Sequence, residues 1–154
     1  MLPDLGGLVR ELAEARIHYV VIGGIAVAAH AFVRATEDLD IVPDPTPANL
    51  DELCNMLVRI DALLLRDPGR GIDPEIRREL YRGRNLTVTT SVADLDIVQR
   101  LPGVPSYAEL EADSWEAELG GAQFRVCSRA HLIAMKRARG AAIDLADLEY
   151  LESD

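Results

Sequence analysis

The chain has 154 residues, 49% of them hydrophobic, and its 26 acidic against 16 basic side chains leave a formal net charge of −10. That size and apolar content suit one globular domain spanning residues 1–154, and the acidity argues against a broad electropositive surface for non-specific nucleic-acid binding. The two cysteines, Cys54 and Cys127, form no CxxC pair, which argues against a cysteine-rich zinc site or structural disulfide and points to a reducing, cytoplasmic setting.

From the N-terminus, Met1-Leu2-Pro3-Asp4 lacks the basic and apolar regions of a signal peptide. Residues 4–16 place Leu5, Leu8, Val9 and Leu12 at helical spacing behind Asp4 as N-cap. Tyr19-Val20-Val21-Ile22 is a short β-branched run stopped by Gly23 and Gly24, the pattern of a buried strand. The apolar run 19–33 is broken by those glycines and by His30, so it predicts no membrane span. Residues 25–32 read as a helix buried on most faces. Residues 38–42 alternate polar and apolar and end at Pro43, as a strand does. Thr46 caps a helix running to about Ile60 with Pro47 at its first position. Residues 66–74 read as loop, and Asp73-Pro74 starts a short helix through Tyr81.

Leu86–Thr90 and Leu95–Val98 predict two further strands. A short helix precedes a hairpin in which residues 115–119 and 123–127 flank Gly120-Gly121. Ser128 caps a helix to about Arg139, and residues 144–151 form a last one. The succession of elements predicts a mixed sheet with helices and no internal linker. Asp-Leu-Asp-Ile occurs at 38–41 and again at 94–97, which reads as a repeated chemical need rather than a structural repeat.

Side chains two apart on a strand share a face, so Asp38 and Asp40 project together while Leu39 and Ile41 face the core. Adjacent carboxylates raise one another's pKa unless a cation lies between them, and a hard divalent ion resolves the conflict. Asp96 would add a third carboxylate, enough for two metal ions about 3.5–4 Å apart and in-line displacement at phosphorus. Gly23-Gly24, at a strand-to-helix turn, lets the backbone approach a phosphate closely.

Gly23-Gly24 followed by Arg34-Ala-Thr36-Glu-Asp38-Leu-Asp40-Ile41 resembles the signature of the DNA polymerase beta-like nucleotidyltransferase superfamily. The Arg-x-Thr-x-Asp-h-Asp form resembles its small bacterial AbiEii-like (abortive-infection toxin) branch. The resemblance covers roughly residues 17–42, 86–98 and 126–151. It implies an α/β (α+β) nucleotidyltransferase fold, a mixed twisted sheet flanked by helices. It also implies transfer of an NMP unit from a nucleoside triphosphate to an acceptor hydroxyl on RNA, protein or a small molecule. Asp38, Asp40 and Asp96 would bind Mg²⁺ (or Mn²⁺), and Gly23 and Gly24 would hold the triphosphate. Arg34 and Thr36 fall in the same motif and join the substrate-binding set. Lys136, in Ser128-x-x-x-Leu132-x-x-x-Lys136 ahead of Asp144-Leu-Ala-Asp147-Leu, would lie near the triphosphate. A toxin–antitoxin or phage-defence setting goes with that branch. The chain departs from the pattern at Gly24, where many relatives have serine, and at Ile143, where a basic residue is frequent.

Other readings of the same residues stay open. The Asp38/Asp40 pair also suits a solvated edge strand, and Asp94 shares a face with Asp96 and competes with it as third ligand. Lys136 reads as an exposed helix lysine, Arg34 as the end of a helix and Thr36 as a turn cap. His30 suits a partly buried core position, His18 and His131 have no evident partner, and Tyr107 and Trp115 read as packing residues. Two arginine-rich clusters, 77–84 and 125–139, read as solvated faces. The acidic surface and short chain also suit a protein partner or a second subunit. The alternative function is a nucleotide-sensing or partner-binding, antitoxin-like module with the same fold and little turnover.

Overall fold

A computed structural model describes residues 3–29, 37–140, 147–149 and 151–152. The first helix, α1 (Leu5–Glu14), is capped by Asp4, whose carboxylate accepts the Gly7 N–H at 2.8 Å, and buries Leu8, Val9 and Leu12. All four residues of β1 (Tyr19–Ile22) are buried, because the strand lies inside the sheet with neighbours on both sides. α2 (Gly23–Ala29) begins at Gly23 itself, two residues earlier than the apolar pattern suggests; residues 30–32 of the predicted helix lie outside the described residues.

β2 (Asp38–Pro43) follows, then α3 (Pro47–Arg59) with proline in its first turn. Thr46 occupies the N-cap position of α3 but makes no side-chain capping bond; its own N–H donates to Asp44 at 3.0 Å instead. β3 (Leu63–Leu64) is a strand that the apolar pattern does not reveal, since two residues are too short for an alternation. α4 (Pro74–Tyr81) is capped by Asp73. β4 (Leu86–Thr89), β5 (Asp94–Ile97) and α5 (Tyr107–Ala112) lead to β6 (Trp115–Leu119) and β7 (Ala122–Val126). Gly120 and Gly121 join β6 to β7 with φ of 61° and 81°, the two positive values that a type I′ hairpin turn demands. α6 (Arg129–Arg139) starts on Ser128, which accepts the His131 N–H at 3.0 Å, and ends at left-handed Gly140. Residues 147–149 and 151–152 are helical, and residues 144–146 of the predicted last helix lie outside the described residues.

Among the described residues, seven strands form one mixed sheet in the order β3-β4-β5-β2-β1-β7-β6. β2 runs antiparallel to β1 and parallel to β5, and β1 runs parallel to β7. Helices flank this sheet: α1 packs on β7 and α3, and α2 packs on β1, β2 and α6. The strand alternation sends Leu39, Ile41, Leu95 and Ile97 into the core, each fully buried. At one edge, the Leu64 N–H donates to the Arg70 carbonyl at 2.8 Å, so the loop after β3 closes over its own strand. Arg70 holds that loop through Asp73 and Glu75, both at 2.9 Å. Trp115 is 37% exposed and is not the packing residue its size suggests, because β6 is the outermost strand. Tyr107 does pack, half-buried, against the core. Cys54 and Cys127 are buried free thiols, and burial pushes Cys127 up to about 12. No described helix is long and apolar enough to cross a membrane.

One buried amide ties the first half of the sheet together. Asn49, in the first turn of α3, accepts the His18 N–H at 2.8 Å and donates to the carbonyls of His18 at 2.9 Å and Asp44 at 2.8 Å. These backbone groups sit just before β1 and just after β2, and without Asn49 they lack those partners. Asn49→Ala is therefore expected to lower stability by about 2–3 kcal/mol, read as a shift in the urea-unfolding midpoint at unchanged m-value.

Candidate active site: a carboxylate face beside a glycine turn

Parallel pairing of β2 with β5 sets Asp38 beside Asp94 and Asp40 beside Asp96. Four carboxylates thus share one sheet face, while the intervening Leu39, Ile41, Leu95 and Ile97 anchor both strands in the core. The edge-strand reading of Asp38 and Asp40 does not hold, since β2 lies between β1 and β5. The four acids are not equivalent. Asp40 is hydrogen-bonded to Asp96, and the negative charges that act on it are Asp38 and Asp96. Asp94 instead lines a separate polar hollow with Glu37 and Thr89. The geometry groups Asp96, not Asp94, with Asp40.

Asp96 is held by a residue that the sequence pattern does not single out. Thr87, opposite Asp96 in the β4–β5 pairing, donates its hydroxyl to Asp96 Oδ1 at 2.8 Å. The only sequence signal for Thr87 is its polar place in the alternation of β4.

Gly23 adopts φ +74°, and a Cβ there would stand 2.0 Å from Asp40 Oδ2. Glycine is therefore required twice, for the left-handed backbone and for the space that the Asp40 carboxylate fills. Gly24 is buried in the first turn of α2. Arg34 and Thr36 lie outside the described residues, as do His30 and Asp144.

Lys136 departs from the exposed-lysine reading: it is 5% exposed. Leu132 and Met135 turn the same side of α6 inward, and Lys136 follows them. Its Nζ lies 3.3 Å from the buried Asp147 carboxylate, and its charge also lowers the pKa of Asp40. Asp147 belongs to the C-terminal helix, which α6 grips further through Arg137–Glu152 at 2.8 Å and through Arg129, whose guanidinium donates to the Leu151 carbonyl. The 125–139 arginine cluster is thus partly a structural clamp. In the 77–84 cluster, Arg82 and Arg84 pair with Glu79 at the surface, as a solvated face predicts. His131 stands 3.9 Å from Asp113.

Two cavities flank the carboxylates. One, of about 420 Å³, lies between Gly23 and α6; Lys136 and Arg139 line it beside a largely aliphatic wall. The other, of about 360 Å³, lies on the β4–β5 side and contains Asp96 and Thr87. Leu101 belongs to the walls of both. Among the described residues, no three His, Cys, Asp or Glu side chains close around a common point as the ligands of a metal ion. The Asp40 and Asp96 carboxyls lean on each other instead. Burial, then Asp38 and Asp96, lift Asp40 from 3.8 to about 7, so a proton offsets part of the local charge at neutral pH.

The fold is nucleotidyltransferase-like. The structure aligns over 96% of this chain and 72% of the other with the crystal structure of an antigenic nucleotidyltransferase-like protein from Paracoccidioides brasiliensis, with a TM-score of 0.58 at 19% sequence identity. No protein-family model matches the chain, and no curated protein matches it. The fold likeness therefore stands on backbone geometry.

Two outcomes follow from the site. Because Asp40 binds its proton more tightly folded than unfolded, stability is expected to fall as pH rises from about 4 to about 7, and Asp40→Asn should flatten that fall. Urea midpoints of both proteins at about pH 5 and about pH 8 measure it; equal slopes would contradict it. Gly23→Ala is expected to cost about 1–3 kcal/mol, through the left-handed φ and the clash with Asp40, visible as a lower thermal midpoint.

Proposed function

We propose that the protein is a metal-dependent nucleotidyltransferase that moves an NMP unit from a nucleoside triphosphate to an acceptor hydroxyl. The observation that carries this reading is the register of β2 and β5, which stacks Asp40 on Asp96, with Asp38 on the same face, against a glycine turn where a Cβ would strike Asp40. The nucleotidyltransferase-like fold supports it.

The donor set fits a hard divalent ion in its chemistry: carboxylate oxygens only, one of them with its pKa raised to about 7 by burial and then by Asp38 and Asp96, as expected where positive charge is wanting. Asp38, Asp40 and Asp96 would hold Mg²⁺, or Mn²⁺. When bound, the ion neutralises the carboxylates and the triphosphate and stabilises the charge that builds on the leaving pyrophosphate. The residues of the chain do the rest. Gly23 and Gly24 let the triphosphate approach the backbone, and Lys136 borders the cavity beside Gly23. Arg34 and Thr36 complete the substrate-binding set implied by the motif. Thr87 fixes one oxygen of Asp96, so the carboxylate is oriented before the acceptor arrives. The acceptor oxygen attacks the α-phosphorus, the bond from that phosphorus to the β-phosphate oxygen breaks, and pyrophosphate departs with the electron pair. The hydroxyl proton passes to Asp96. Resemblance of the 34–41 motif to the AbiEii-like branch is the ground for placing the reaction in toxin–antitoxin or phage-defence chemistry.

Calorimetric titration of ATP, CTP, GTP and UTP tests the reading. Wild type should bind at least one of them only with Mg²⁺, and Asp38→Ala/Asp40→Ala should abolish that binding. Asp96→Asn should keep nucleotide binding and lower pyrophosphate release by about 10²–10⁴-fold. Absence of Mg²⁺-dependent binding in folded wild type would sink the proposal. Binding with no product on any acceptor would favour the nucleotide-sensing or partner-binding alternative.

A further inference from the structure

Two cavities border the candidate site, one lined by Gly23 and Lys136 and the other by Asp96. Attacking and leaving oxygens must stand on opposite sides of the α-phosphorus. The larger cavity touches Gly23 and Lys136, the groups suited to a triphosphate. The smaller one touches Asp96, the group suited to the attacking hydroxyl. On the nucleotidyl-transfer reading the smaller cavity is the side open to an acceptor, and its walls would select the acceptor's chemistry.

Leu64, Leu86, Val98 and Leu101 make about half of those walls aliphatic. Of the polar side chains, Asn85 is already committed: its amide donates to the Arg100 carbonyl at 2.8 Å and its oxygen accepts the N–H groups of Gln99 at 2.7 Å and Arg100 at 2.9 Å. The Thr87 hydroxyl proton is used on Asp96. Arg66 is different. It is exposed at the cavity wall and makes no hydrogen bond or ion pair among the described residues. Nearby arginines are engaged: Arg70 with Asp73 and Glu75, Arg82 and Arg84 with Glu79, Arg100 with the Arg82 carbonyl. In a chain of net charge −10, an uncommitted guanidinium in the cavity that Asp96 lines suits recognition of an anion.

We infer that the smaller cavity takes a small hydroxyl-bearing acceptor with an anionic group, a carboxylate or phosphate monoester, which Arg66 anchors while the hydroxyl meets Asp96. The inference rests on the nucleotidyl-transfer reading and narrows its substrate class. A volume of about 360 Å³ suits one small molecule, and the acidic surface opposes a polyanion such as RNA. Arg66 is a specificity residue here and takes no part in the proton transfer.

Glycerol 3-phosphate and glycerol serve as probes of one another. In ¹⁵N NMR titrations, glycerol 3-phosphate should shift the signals of Arg66 and Thr87, glycerol should not, and Arg66→Glu should erase the shifts. With ATP and Mg²⁺ present, pyrophosphate release should be at least about ten-fold faster with the phosphate ester, with glycerate behaving likewise, and Arg66→Glu should remove that preference while Arg66→Lys retains part of it. Absence of shifts, equal shifts in Arg66→Glu, binding of the anion without transfer by a protein that binds ATP·Mg²⁺, or preference for an RNA 3′ end would each overturn the inference. Loss of ATP·Mg²⁺ binding in calorimetry overturns the nucleotidyl-transfer reading separately, because the NMR titration needs no nucleotide.

Discussion

Charge concentration on one face of the sheet is the constraint to which the rest of the molecule answers. Parallel pairing of β2 and β5 brings two aspartates to each of two alternate rungs, an arrangement that costs stability whenever the carboxylates are all ionised. It persists because both strands are anchored by fully buried leucine and isoleucine on the opposite side. Sliding either strand by one residue would exchange the aspartates for those core residues, so the hydrophobic core enforces the register that holds the acids together. Gly23 yields its side-chain volume to the same carboxylate. The site is a place where local stability is given up and the surrounding core supplies the difference.

Much of this was legible in the sequence because the relevant periods are short. Alternation over 38–41 and 94–97 fixes which residues face which way, and Gly120-Gly121 specifies its hairpin turn. Caps at Asp4, Asp73 and Ser128 follow from the chemistry of their oxygens. What was not legible depends on partners far away in the chain. β3 is a strand only because β4 pairs with it, and Thr87 matters only because the pairing puts it opposite Asp96. The choice between Asp94 and Asp96 turns on the register with β2, which no local pattern encodes. Lys136 has the sequence surroundings of a surface lysine, and its burial comes from Asp147, eleven positions on and in another helix.

The Lys136–Asp147 pair illustrates how polar interior groups relate stability to geometry. Both side chains are nearly dry, at 7% and 1% exposure, and removing two charges from water costs roughly what their attraction returns. Such a pair adds little to folding but is expensive to break by halves. Its effect is to lock the helical segment of Asp147 to α6 and to hold a cation close to Asp40. Arg129 and Arg137 reinforce the same junction from the surface through Leu151 and Glu152.

The loop that folds over β3 has a consequence for how the sheet ends. An open strand edge offers its unpaired amides and carbonyls as a template for another chain. Here the Leu64 amide is already satisfied by Arg70 of the same molecule, and the guanidinium of Arg70 is itself staked down by neighbouring acids. At the far side, Glu116 and Glu118 stand exposed along β6, setting like charges against any identical strand drawn up beside it. Among the described residues, one border of the sheet is thus sealed by its own backbone and the other is guarded by repulsion, so neither offers an identical strand an easy template.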